Sequence, residues 1–229
     1  MNNHQKCSKR DKSLMNLLES QKCLTTDMIH QLLFKGNCLR IVQRRLEKLS
    51  SPPYPKIKRD RRRLGEPYFY YMDHKPGQLD HVLGVSQVFT WIYLTLTNME
   101  RLHSFDREVK DKYNKKIRPD ALVAIKNLWK DSMYFYFIEF DNNESNHDFS
   151  KKVKKYNDFF SSGAYINQWW VPLSKRFPAI IVVTTGRVKT IKEKIERENV
   201  NDLEFRVYSL EQIKEECLND GGGKASIRS

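Results

Sequence analysis

Apolar residues recur at helical spacing through the first fifty positions. Leu14, Leu17 and Leu18 share one face of a segment from Asp11 to Ser20. Met28, Ile29, Leu32 and Leu33 share one face of a second segment, which Thr26 or Asp27 can N-cap and which runs through Phe34. A turn at Lys35–Asn37 then leads into a third helix ending near Leu49, with Leu39, Val42, Leu46 and Leu49 on its apolar side. At about 100° per residue, Asn37, Arg40, Ile41, Arg44 and Lys48 project from the opposite side. Beyond Pro52, Pro53 and Pro55 the pattern becomes that of strands. Lys56–Arg63 and Tyr68–Met72 read as a hairpin closed by a turn over Leu64–Pro67.

Three helices followed by a hairpin is the order of a winged helix-turn-helix, so the pattern predicts such a domain over residues 11–75. Pro76 and Gly77 interrupt the pattern at Asp73–Gln78, and a second domain is expected over 78–218. It opens with a long helix, Gln78–Glu100, striped by Leu79, Val82, Leu83, Phe89, Ile92, Leu96 and Met99. Strands are expected around His103–Val109, at Ile117–Ile125 and at Met133–Asp141, then a helix at Asp148–Ser161. The β-branched run Pro178–Thr185 reads as a buried strand, followed by a helix at Arg187–Asn199, a strand at Phe205–Tyr208 and a helix at Leu210–Leu218. Three sequential strands, a crossover helix and a buried strand imply a mixed sheet flanked by helices, an α+β chain overall. Residues 1–10 and 219–229 are polar and expected to be disordered tails.

Charge adds a partner to this outline. Residues 1–75 carry 17 Lys and Arg against 7 Asp and Glu, so most of the net +13 sits in one third of the chain. A concentrated basic segment implies a polyanion, and double-stranded DNA fits the expected fold. The third helix would offer Asn37, Arg40, Ile41, Arg44 and Lys48 to the major groove, and the wing Lys56, Lys58, Arg59, Arg61, Arg62 and Arg63 to backbone or minor groove. No apolar run approaches the ~20 residues that span a bilayer, and no basic helix has a broad apolar face, so a membrane partner is not expected and a cytoplasmic location is. Cys7, Cys23, Cys38 and Cys217 form no CxxC pair, which argues against a zinc ribbon and for reduced thiols. His81 has no His, Cys or carboxylate at metal-site spacing and reads as a packed or surface residue.

Three acids carry the candidate chemistry. Asp120 follows Arg118–Pro119 at the start of one strand, and Glu139 and Asp141 lie on one face at the end of the next. Paired strands would bring the three together, and converging carboxylates suit Mg²⁺. This order resembles the PD-(D/E)XK nuclease superfamily, with Glu108, Pro119–Asp120 and Glu139 matching its acids. The resemblance implies a restriction-endonuclease-like domain and an amine beside the acids. Asp141 stands where that lysine is expected, leaving Lys152 on the following helix as the candidate. The catalytic set would then be Asp120, Glu139, Asp141 and Lys152, with Asp120, Glu139 and Asp141 as metal ligands. No P-loop, G-x-G-x-x-G or Ser–His pairing offers other catalysis. Trp169 and Trp170 read equally as an exposed patch or as a cover over the sheet edge.

The motifs LTTDMIHQLLF, RIVQRRLEKL, LDHVLGVSQVF, RPDALVAI, FIEFD, the Lys152–Tyr156 spacing and FPAIIVVTTGR occur in an order that resembles the replication-relaxation family of plasmids, phages and integrative elements. That resemblance implies a winged helix followed by a nuclease-like domain, acting in replication, DNA relaxation or transcription control, and no transferable catalytic mechanism. The expectation is a DNA-binding accessory protein requiring no cofactor, with a homodimer or a replication or transfer protein as further partners. The competing readings are a Mg²⁺-dependent nuclease or nickase and a protein-interaction adaptor. The missing Glu-x-Lys lysine counts against the first, and the basic excess counts against the second.

Overall fold

Buried apolar residues on each of three helices, and a hairpin too short to fold alone, require the first segments of the chain to pack on one another. A computed structural model describes residues 7–107, 117–142, 148–174 and 176–218. The chain forms two compact units, residues up to Thr90 and residues from Trp91.

The first unit contains α1 (Lys9–Gln21), β1 (Leu24–Thr25), α2 (Thr26–Leu33), α3 (Leu39–Ser50), β2 (Lys58–Asp60) and β3 (Phe69–Tyr71). Its core is Leu14 and Leu18 from α1, Met28 and Ile29 from α2, Val42, Leu46 and Leu49 from α3, and Ile57 and Tyr70 from the strand region. Ser8 caps α1 by accepting from the Asp11 amide at 3.2 Å, so the helix starts before Asp11. The cap of α2 is Thr25 rather than Thr26 or Asp27, with its hydroxyl accepting from the Met28 amide at 3.3 Å. Leu24 and Thr25 pair with Tyr70 and Phe69, giving a three-stranded antiparallel sheet in the order β1-β3-β2. A two-residue strand of this kind leaves no periodic signal, and the pattern did not reveal it.

The hairpin strands are also shorter than their composition suggests. The amides of Lys56 and Ile57 both donate to the Leu49 carbonyl, at 2.7 and 3.3 Å, and are therefore spent on closing α3 rather than on β3. Asn37 precedes α3 and lies off the helix face assigned to it. Its side-chain amide donates to the Phe34 carbonyl at 3.2 Å and its own carbonyl contacts the His30 ring at 2.7 Å.

Helix α4 (Leu79–Thr95) is shorter than the expected 78–100, and Leu96 and Met99 lie beyond it. It is also not a striped surface helix, because every residue from Gly84 to Ile92 is buried. The polar residues there are satisfied along the helix. Ser86 Oγ donates to the Val82 carbonyl and Thr90 Oγ1 to the Ser86 carbonyl, each at 2.9 Å.

The second unit is built on β4 (Glu100–Arg107), β5 (Ala121–Asn127), β6 (Ser132–Asp141), β7 (Ala179–Thr184) and β8 (Phe205–Ser209), in the spatial order β4-β5-β6-β7-β8. The first three are antiparallel. The pairs β6–β7 and β7–β8 are parallel, so the sheet is mixed. The crossovers are α5 (Ser150–Ser161) and α6 (Val188–Glu198), and α7 (Leu210–Leu218) ends the unit. Strand β7 is buried at every position, as a central parallel strand must be. Beneath α5 lies an aromatic core. Phe137 meets Tyr156 at 5.6 Å and Trp170 at 6.0 Å, while Phe177 packs on Tyr165 at 5.2 Å.

One ion pair braces the first unit. Asp11, 1% exposed, accepts from the Arg45 guanidinium through both oxygens, joining α1 to α3. Burial works to raise the Asp11 carboxyl, but Arg45 and the Ser8 amide and hydroxyl together hold it below the ordinary range. Its contribution is therefore present above the unfolded value near pH 3.9 and is lost as pH falls through the lower folded value. Asp11→Ala should destabilise the chain by about 1.5–3 kcal/mol at pH 7 and by much less at pH 2.5, read by denaturant unfolding. An equal loss at both pH values would show that the pair is not what Asp11 contributes.

Candidate functional site

Helix α3 and the hairpin both carry exposed cations. On α3, Val42, Leu46 and Leu49 turn inward, so Arg40, Ile41, Arg44 and Lys48 are exposed; Ile41 is 50% exposed. The same helix turns Arg45 inward to Asp11, separating adjacent arginines into a structural one and an outward one. In the hairpin, sequence reading treated Lys56, Lys58, Arg59, Arg61, Arg62 and Arg63 as one set, and the structure divides them. Arg59 reaches Glu47 of α3 at 3.5 Å, and the Arg59 and Arg61 guanidiniums lie 4.9 and 5.3 Å from the Tyr68 ring centre. Arg62 pairs with Asp80, and Lys58 donates to the Asp73 carbonyl at 2.6 Å. Lys56 and Arg63 are exposed and, like Arg40, Arg44 and Lys48, make no ion pair among the described residues.

The three acids of the second unit are placed by the sheet. Strands β5 and β6 pair with Ala121 opposite Ile138, and the Asp120 amide donates to the Ile138 carbonyl at 2.9 Å. That brings Asp120 beside Glu139, where its Oδ2 accepts from the Phe140 amide at 2.7 Å. Glu139 is 2% exposed and accepts from the Lys152 ammonium and, at 2.7 Å, from the Tyr156 hydroxyl. Both donors come from successive turns of α5, and i, i+4 spacing puts them on the helix face turned to β6. Parallel pairing of β6 with β7 sets Asp141 beside Thr184, whose hydroxyl donates to it at 2.8 Å. Arg187, just past β7, holds both Asp141 oxygens. Arg187 and Thr184 were not singled out in the sequence. Only the β6–β7 register, which the pattern does not state, reveals that the residues after the TT of VVTTGR meet the end of IEFD.

Burial raises the Glu139 carboxyl, aided by the Asp120 charge and opposed by Lys152 and Tyr156. Burial alone would lower the Lys152 ammonium, but Glu139 and Asp120 outweigh it and leave it raised. Tyr156 is raised well above its ordinary range by burial and by Glu139.

As a Mg²⁺ site the donor set is poor. Each acid is engaged by a protein donor, two of them by cations, and among the described residues no group of three His, Cys, Asp or Glu stands ready to hold a metal. Glu108, the first acid of the nuclease pattern, lies outside the described residues, as do 1–6 and 219–229 of the expected tails. Of the tryptophan pair, Trp170 is buried in the aromatic core and Trp169 is 52% exposed, edge-on to Phe135 at 5.6 Å. His81 is half-buried. Among the described residues no helix is long and apolar enough to cross a membrane.

Because Glu139 is raised in the folded chain, it contributes stability in full below about pH 4.3, and that contribution falls as pH rises through its folded value. Glu139→Gln should flatten the loss of stability as pH rises above about 4.3, and Tyr156→Phe should cost about 1.5–3 kcal/mol at pH 7. Denaturant titrations across that range provide the check. An unchanged pH dependence in Glu139→Gln would assign the titration to another group.

The family model described as Replication-relaxation matches residues 73–169. That stretch contains Asp120, Glu139, Asp141, Lys152 and Tyr156, and it stops before Thr184 and Arg187. No curated protein and no solved structure gives a significant match to the chain. Over residues 73–169 the chain is similar to the replication-relaxation family.

Proposed function

We propose that this protein is a DNA-binding accessory protein of a plasmid or other mobile element, acting in its replication, in DNA relaxation or in transcription control. The observation that carries the reading is the outward face of α3, where Arg40, Ile41, Arg44 and Lys48 are exposed while the opposite face builds the core. A helix wide open on its basic side, packed on two others and followed by a hairpin, has the element order of a winged helix-turn-helix. In that assignment α3 enters the major groove. Lys56 and Arg63 of the wing reach phosphates, and Arg59 and Arg61 are held by Tyr68. The family match supports the replication context, since the family is described by replication and relaxation.

The second unit adds a nuclease-like reading. Its antiparallel β4-β5-β6 meander, crossover α5 and parallel β7 follow the strand order of PD-(D/E)XK domains. Asp120, Glu139, Asp141 and Lys152 would be that fold's working residues. The pairing of Glu139 with Lys152 and Tyr156, and of Asp141 with Arg187, favours a structural network over a metal centre. No hydrolytic step is assigned.

Binding to B-DNA should be steeply salt-dependent. With about five or six phosphate contacts, log K should fall with log salt at a slope near −5. Arg44→Ala should shift base preference by about 1–3 kcal/mol at one position, and Arg63→Ala should weaken all duplexes alike and make the slope shallower by about one unit. A wild-type slope shallower than about −2 would remove the cationic face from the interface.

Cleavage assays separate the nuclease alternative. The expected outcome is no nicking of supercoiled or linear DNA with Mg²⁺ or Mn²⁺. Nicking by the wild type that both Asp120→Ala and Lys152→Ala abolish would replace the accessory reading with the enzymatic one.

A further inference from the structure

The tip of the hairpin carries an apolar side chain where a turn has no structural use for one. The Glu66 amide donates to the Arg63 carbonyl at 3.2 Å, closing a four-residue turn with Leu64 and Gly65 at its centre. Gly65 has φ +92°, the left-handed conformation that the third position of a type II turn demands and that glycine meets without strain. Leu64 is thereby fixed at the apex, and it is 86% exposed. A lone exposed leucine is ordinary on a protein surface. This one differs in its setting. It stands on a hydrogen-bonded turn, directly after Arg61, Arg62 and Arg63, and Arg63 has no ion-pair partner among the described residues. Behind it the hairpin is anchored, with Arg59 on Glu47 and both Arg59 and Arg61 over Tyr68.

We propose that Leu64 is a wedge that enters a base step of duplex DNA from the minor groove and kinks it, while Arg63 holds a flanking phosphate. The inference rests on the DNA-binding reading above and adds a mode of contact to it. Charge complementarity selects the occupant, because the cations that flank the apex suit a polyanion better than an apolar protein surface. The chemistry fits as well. An aliphatic side chain inserted between stacked bases unstacks them and opens a bend away from itself, and pyrimidine–purine steps such as TA and CA yield most readily. Arg63, next to the apex, neutralises a phosphate on the minor-groove side.

The test uses the full chain and a 30-base-pair duplex with a central TA step and donor and acceptor dyes at its ends. The wild type should shorten the end-to-end distance on binding. Leu64→Ala should bind within about tenfold of the wild type without shortening it, and Leu64→Phe should restore the bend. Arg63→Ala should weaken binding and still bend the duplex at saturation. Leu64 is exposed, so circular dichroism and unfolding midpoints of its variants should match the wild type. Binding without bending by the wild type, or equal bending by Leu64→Ala, would overturn the wedge and leave DNA binding in place. No binding to any duplex at low salt would overturn both readings. Loss of self-association in Leu64→Ala, measured by sedimentation without DNA, would overturn the wedge by assigning the leucine to a protein contact.

Discussion

A carboxylate buried in a sheet must find its compensation where it stands, and Glu139 sets that condition for the second unit. At 2% exposure on β6 it has lost nearly all contact with water, and only direct donors stabilise its charge. Helix α5 supplies them from Lys152 and Tyr156, one turn apart, and this fixes both the rotation of α5 and its height over the sheet. The aromatic core follows from that docking. Tyr156 joins Phe137 and Phe205 at 5.6 and 6.1 Å, and Phe159 packs beside Tyr165 and Phe177.

The first unit solves the same problem in the same way. Asp11 is buried at the start of α1 and is met by Arg45 from α3. In both units a buried acid selects which face of a neighbouring helix turns inward. In α3, turning Arg45 toward Asp11 leaves Arg40 and Arg44 on the open side. Truncating such an acid strands its cation, a cost beyond the loss of the bond itself.

At the end of the sheet the acids are met by donors from the protein itself. Asp141 is neutralised by Arg187 from beyond β7. Lys152, the amine available on α5, is committed to Glu139. Glu139 and Asp141 each have a cation bonded to them, and Asp120 a backbone amide. A metal ion at these acids would have to displace those partners.

Much of this was readable in the order of apolar and polar residues. The helices of both units, the buried run of β7 and the opposed faces of α3 follow from periodicity, because side-chain direction on one element depends on that element alone. The acids Asp120, Glu139 and Asp141, and the pairing of Lys152 with Tyr156, were visible as spacings in the sequence. Partnership was not. That Asp141 would meet Arg187, that Asp11 would bury against Arg45, and that Arg62 would be drawn to Asp80 depends on contacts across 34, 46 or 18 positions, and local spacing carries no information about them. Thr25 as the cap of α2, and the brief pairing of Leu24–Thr25 with β3, were likewise settled by a strand that lies far along the chain. The sequence by itself determined which residues can be inside and which elements they form. Tertiary structure decided which charges remain free to act, because a charge is free only when nothing brought near it by folding has already paired with it.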